Sequence, residues 1–178
     1  MSNTTLHNEN VSVTLKSLGA ELTSIKDASG TEYLWQGNPE FWSGQAPVLF
    51  PIVGCLRNGT ATIGDNKTCS FGRHGLARRL EFDLVSSSDT CITYSLKAND
   101  KTKEQYPYDF ELQMTYELTE HGVKVSHTVI NHDSVVMPYC VGGHPAFNCP
   151  VFENESFEDY IVEFEQPENA ACAQLTED

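Results

Sequence analysis

The chain has 178 residues, 39% of them apolar, and a formal net charge of −14. That is material for one hydrophobic core rather than two, so residues 1–178 are expected to form a single domain. A surface this acidic would be repelled by a phosphate backbone or an anionic bilayer, which argues against nucleic acid and membrane as partners. No stretch approaches the roughly 18 apolar residues that cross a bilayer, and the polar start MSNTTLHNEN lacks the basic-then-apolar order of an export signal. The expectation is a soluble, cytoplasmic protein.

Taken in chain order, the pattern is that of half-buried strands. Val11, Val13 and Leu15 alternate with Ser12, Thr14 and Lys16, and a second strand is expected over residues 22–26 before the turn Asp27-Ala28-Ser29-Gly30. Cys91–Lys97 is a further strand, closed by Ala98-Asn99-Asp100. In Phe110–Leu118 the apolar Phe110, Leu112, Met114, Tyr116 and Leu118 alternate with polar neighbours. Glu120-His121-Gly122 then turns the chain into a strand with Val123, Val125, His127 and Val129 on one inward face. Strands are also expected over 135–140 and 160–164. No long helical periodicity and no internal repeat is present. Many short strands separated by Gly, Asn, Asp and Pro predict an all-β antiparallel sandwich or barrel. The segment ending at Asp178 supplies no closing element, so an edge strand and an apolar face would be uncovered, and self-association is one way to cover them.

Two segments put histidine beside glycine where strands stop. The first runs from LFPIVGCLRNG (residues 49–59) to FGRHGLARRLEF (71–82), with His74 and Gly75 in a loop between strand-like runs. Arg57, Lys67, Arg73, Arg78 and Arg79 face Asp65 alone between residues 55 and 79, whereas residues 151–178 carry nine acidic side chains and no Lys or Arg. A polar ligand could be held on that basic segment; the arginines could equally balance the acidic C-terminal stretch. The second segment is MPYCVGGHPAFNCP (137–150). Pro145 restricts His144 to extended geometry and ends the ladder, which points a titratable imidazole in a fixed direction at a sheet end. His127 reads as a hydrogen-bonded histidine on a strand face; His7, His121 and His132 read as terminus or turn residues.

The strings APVLFPIVG (46–54), RHGLAR (73–78), Asn131, MPY (137–139) and GGHPAF (142–147), in this order and spacing, resemble the N-terminal portion of the aldose 1-epimerase (galactose mutarotase-like) family, in its LacX-like branch. The resemblance implies a supersandwich of antiparallel sheets with a sugar cleft. It also implies an isomerase that interconverts the α and β anomers of a hexose by acid/base ring opening, without metal or organic cofactor. By residue matching His144 would be the general acid and His74 would hydrogen-bond the sugar near the reacting centre, with Arg78, Arg57 and Asn131 as sugar-binding candidates. Two departures stand out. Gly54-Cys55 replaces the family's glycine-arginine, leaving Arg57 as the displaced arginine, and no glutamate here matches the motif of the family's general base. A carbohydrate-binding protein that keeps the cleft without catalysis is therefore the alternative, and a non-sugar interaction domain on the same sandwich a third reading. The partner expected is a small-molecule hexose, with or without a phosphate, since guanidinium groups pair well with phosphate oxygens.

The six cysteines are irregularly spaced, with no C-x-x-C pair, and are read as reduced thiols. Thiol titration of the denatured, unreduced protein is expected to find six reactive groups. A count of two or fewer would overturn the reduced, cytoplasmic reading.

Overall fold

The structure is a computed structural model, described for residues 2–64, 66–167 and 169–171. The chain divides into two compact units, Met1–Asn148 and Cys149–Asp178.

The first unit is built from antiparallel strands. β1 (Asn3–His7), β2 (Val11–Lys16) and β3 (Glu21–Asp27) form one sheet in that order. A second sheet has the order β10-β9-β8-β7, from β7 (Asp83–Ser87), β8 (Cys91–Lys97), β9 (Phe110–Leu118) and β10 (Val123–Asn131). The alternation seen in the sequence is the cause. Val11, Val13 and Leu15 on β2 and Phe110, Leu112, Met114 and Tyr116 on β9 are all buried in one apolar core, and that burial fixes both registers, because a slip by one residue would turn each apolar row to solvent. Hydroxyls tie the two sheets across the core: Tyr116 donates to the Ala20 carbonyl at 2.5 Å and Tyr94 to Thr4 Oγ1 at 3.1 Å. The β9–β10 hairpin turns where expected, with the Thr119 N–H donating to the Gly122 carbonyl.

Two further pairs complete the unit, β4 (Val48–Leu49) with β11 (Gly142–Gly143), and β5 (Thr60–Ile63) with β6 (Lys67–Ser70). The sequence pattern did not reveal β1 or the β5–β6 hairpin. Nor did it reveal the helix α1 (Asp100–Gln105), where Asn99 and Thr102 exchange side-chain and backbone bonds as a reciprocal cap.

Residues 135–140 were expected as a strand and are not one. Pro138 removes a ladder donor, and the segment is held by single bonds, Cys140 N–H to the Pro51 carbonyl and Tyr106 Oη to the Pro138 carbonyl. In the second unit the strand expected over 160–164 is also absent. Ser156 caps a 3-10 turn at Phe157–Asp159, the Tyr160 hydroxyl accepts from the Val151 N–H, and Ile161, Val162 and Phe164 are exposed. Alternating apolar residues make a strand only when a neighbour takes up their backbone groups, and no ladder reaches these among the described residues. Five cysteines (Cys55, Cys69, Cys91, Cys140 and Cys149) are free; Cys172 lies outside the described residues. No helix among the described residues is long and apolar enough to cross a membrane.

Glu111 is the one carboxylate buried in β9, where it accepts from Ser95 Oγ and Gln113 Nε2, both at 2.8 Å, with His132 Nε2 at 3.2 Å. Those bonds, Gln113 first, overcome the cost of burial and hold its pKa near 2 against an ordinary 4.5. A depressed carboxylate stabilises the fold fully above its unfolded pKa and loses that contribution as pH falls. Wild type should therefore lose stability between about pH 4.5 and about pH 2. Glu111→Gln should be weaker at neutral pH by roughly 1.5–3 kcal/mol, the range of hydrogen bonds to a charged group, and flatter across that acid window. Urea midpoints measured through the window check this; identical pH slopes in the two proteins would exclude it.

Candidate active site

One buried aromatic residue organises the site. The Phe50 ring is fully buried, with Tyr106, Phe110 and Tyr139 centroids at 6.0, 5.2 and 6.0 Å. Its backbone leaves no polar group idle. The Phe50 N–H donates to the His74 carbonyl, and the Phe50 carbonyl accepts from the Leu76 and Ala77 N–H groups. Gly75 passes so close that a Cβ there would lie 2.2 Å from the Phe50 oxygen, and its φ of +73° is one that L side chains rarely adopt. His74 itself sits at φ +66°, a left-handed conformation that costs a non-glycine residue roughly 1–2 kcal/mol. The surrounding bonds hold it there, since the His74 N–H also donates to the Gly54 carbonyl at 2.7 Å.

His144 arrives from the other segment. β11 pairs with β4 in the register Gly142↔Leu49 and Gly143↔Val48, and the His144 N–H donates to the Pro47 carbonyl at 3.1 Å. The pairing of two short strands thus brings both histidine segments to the same stretch, residues 47–50. The His74 and His144 ring centroids are 5.8 Å apart, and both line a cavity of about 310 Å³ together with Trp42, Pro47, Arg73 and Arg78. A larger cavity of about 500 Å³ lies against β2, β3 and the β9–β10 turn. Its one lining carboxylate, Asp27, is already engaged, accepting from Tyr33 Oη, Ser29 and Thr31, and it holds no pair of titratable rings, so the histidine cavity is the better chemical site.

The His74 ring is oriented by a backbone donor. Gly54 N–H donates to His74 Nδ1 at 3.1 Å, so in the neutral ring the proton is on Nε2, which is then a donor. Burial lowers the His74 pKa below 6.5, and the charges of Arg78, His144 and Arg73 lower it further. At neutral pH this imidazole is an uncharged hydrogen-bond donor. Arg78 Nη2 donates to the Arg73 carbonyl at 3.1 Å, while Arg78 Nε is buried without a partner. No ion pair involves Arg57, Arg73, Arg78 or Arg79 among the described residues, where the pairs are made by lysines and two histidines.

Of the residues singled out in the sequence, His74, His144 and Arg78 come together. Arg57 and Asn131 do not. Arg57 is exposed in a 3-10 turn at Arg57–Gly59 and does not line the cavity. The Asn131 amide is committed to its own loop, donating to the Val135 carbonyl and accepting from the Asp133 N–H. His127, expected to be hydrogen-bonded, makes no side-chain hydrogen bond among the described residues. It is half-buried beside Val48, Tyr116 and His144 around a small apolar cavity, and that desolvation lowers its pKa. Trp42 was missed. Its indole lies 5.0 Å from the His144 ring, and Gly44 makes room for it, since a Cβ there would be 2.4 Å from Cζ2. The signal available was a tryptophan in the turn-rich segment NPEFWSGQAP.

The all-β sandwich thus brings two imidazoles, an indole and arginines to one cleft. The profile of the aldose 1-epimerase family matches residues 2–175, and the chain belongs to that family. It is 44% identical over 171 residues to the plasmid-encoded protein LacX of Lactococcus lactis subsp. lactis, and equally so to the chromosomal LacX, across 93% of this chain and 57% of either relative. The chain therefore spans little more than half the length of these relatives. Among solved structures it is similar to a galactose mutarotase related enzyme from Lactobacillus acidophilus, with 38% identity and a TM-score of 0.84 over 89% of this chain and 53% of that one. A galactose mutarotase-like protein from Lactobacillus casei gives 36% identity and a TM-score of 0.79 over 83% and 50%.

Because the folded pKa of His74 is lowered, this group's share of stability is complete above about pH 6.5 and declines as pH falls below it. Nitrogen-15 NMR should find His74 protonated on Nε2 and titrating below 6.5. A proton on Nδ1 would contradict the bond from Gly54, and a midpoint at or above 6.5 would contradict the effect of burial and of the neighbouring charges.

Proposed function

We propose that the cavity of His74 and His144 binds a hexose and takes part in interconverting its α and β anomers. The observation that carries this reading is that two imidazoles from distant segments share one cleft, 5.8 Å apart, against an indole face. A pyranose presents apolar C–H faces that suit an aromatic wall and hydroxyls that suit fixed donors.

In this reaction the ring oxygen gains a proton as its bond to the anomeric carbon breaks, and the anomeric hydroxyl gives one up as it becomes the carbonyl. The aldehyde turns and recloses on its other face. His144 is assigned the acid role at the ring oxygen. His74, neutral and donating from Nε2, holds a sugar oxygen near the reacting centre, a bond that strengthens as negative charge builds there. Arg78 supplies a further donor at the wall. The base must be a group that accepts the anomeric proton at the same time. No Asp or Glu among the described residues lines this cavity, which favours, for this chain by itself, the second reading of sugar binding without turnover.

Loss of one partner of an acid–base pair commonly removes about 10²–10⁴-fold in rate. The 178-residue chain is accordingly expected to bind hexose yet leave mutarotation of freshly dissolved α-glucose or α-galactose near the buffer rate. Polarimetry tests this, with His144→Ala as control. A rate well above buffer that vanishes in the variant would mean that a carboxylate of this chain serves as base.

A further inference from the structure

The four-stranded sheet has two open edges, β7 and β10, and they are built differently. β7 is five residues long, begins with Asp83 and is interrupted by a register shift between Leu84 and Ser86. Short length, a charge and a bulge are the devices by which an edge avoids pairing with another chain. β10 runs for nine residues in unbroken register with β9, without proline and with Lys124 as its one formal charge. At its two ends the Thr119 N–H donates to the Gly122 carbonyl and the His132 N–H to the Asp109 carbonyl. The even-numbered residues therefore bond to β9, and the N–H and C=O groups of Val123, Val125, His127, Val129 and Asn131 point to the open side. Among the described residues no strand pairs with that side. The side chains of Val125, His127 and Val129 lie on the same face as Tyr116, Met114 and Leu112, which they oppose and which are buried. They carry the core row of β9 out to the sheet edge, where it stops uncovered, with Val125 38% exposed.

We propose that the open side of β10 docks a second copy of this chain, whose own β10 adds antiparallel to it about a two-fold axis at His127. Charge singles out this strand. The chain carries −14, so two copies repel, yet residues 121–132 hold no Asp or Glu. The sequence also fixes the axis. With His127 opposite the partner's His127, Val125 meets the partner's Val129, Ser126 the partner's Thr128 and Val123 the partner's Asn131. Every outward N–H and C=O of β10 then has a partner, and β-branched and hydroxyl side chains face their own kind across the new pairing. Lys124 falls opposite the partner's Ile130, about 20 Å along the strands from its own counterpart, a distance at which salt screens the repulsion. The apolar rows of the two copies join on one face of a doubled sheet.

The test is sedimentation velocity together with amide hydrogen exchange on the 178-residue chain. The chain should be dimeric at about 100 µM and monomeric at about 1 µM, as a small interface requires. On dilution the Val125, His127 and Val129 amides should exchange at least about tenfold faster, while those of Ser126 and Thr128, bonded to β9, keep their protection. Val125→Pro removes a donor from the open side without touching the β9 ladder, and Val125→Lys adds the charge that guards an edge. Each should be monomeric at about 100 µM, with the Ser126 and Thr128 amides reporting that it is folded. A monomer at both concentrations, a dimer whose Val125, His127 and Val129 amides gain no protection, or a dimer that survives in a folded variant would overturn the proposal. Protection of those amides in the monomer would overturn it too, and would mean that a segment of the same chain covers the edge.

Discussion

The site depends on the burial of Phe50. Its ring is held in the core by Tyr106 and Phe110 and flanked by the more exposed Tyr139, so its backbone cannot move without opening that core. On that fixed backbone hang the His74 carbonyl, the Leu76 and Ala77 N–H groups and the close pass of Gly75. Two and three residues earlier, Val48 and Pro47 fix Gly143 and His144. Apolar packing, a non-directional force, is thereby converted into the placement of two polar rings. The left-handed backbone of His74 is affordable because the core on which it leans is not free to relax.

This dependence explains what could be read from the residues alone. β2, β8 and β9 were legible because each presents a period-two apolar row to one core, and burial rewards that pattern directly; β10 was read from the turn before it, although Val125, expected on its inward face, is exposed. β1 was not, because Leu6 is its one buried side chain and it is a strand by virtue of pairing with β2. Asn99 and Thr102 announce a helix start to anyone who reads the pair together, yet the same residues serve turns, and a helix of six residues has no periodicity to decide between them. Residues 135–140 and 160–164 failed in the opposite sense: the pattern is present and the partner strand is not.

The site divides along similar lines. His74 and His144 were legible because glycine and proline around them mark places where a ladder must stop and a side chain is left pointing in a fixed direction. Arg57 and Asn131 were carried by the resemblance, and no local signal distinguished a guanidinium at a cavity wall from one in solvent, or a free amide from one that closes its own loop. Trp42 had a signal of composition alone. Its role depends on the contact with His144 and on the space left by Gly44, and both are tertiary facts.

Glu21 shows why proximity does not make a catalytic group. It is the carboxylate that lines the cavity next to the histidines, and by position alone it would be a candidate base. A base, however, needs a lone pair that is free to take a proton when the substrate offers one. In Glu21 one oxygen is bound to Lys16 and the other receives the backbone N–H groups of Gln45 and Ala46, with the side chain buried. Protonating it would break the ion pair and release the chain just ahead of β4, which carries His144 through Gly143. The carboxylate is spent on holding the wall of the site in place, so the proposed chemistry at an anomeric hydroxyl would require a different acceptor.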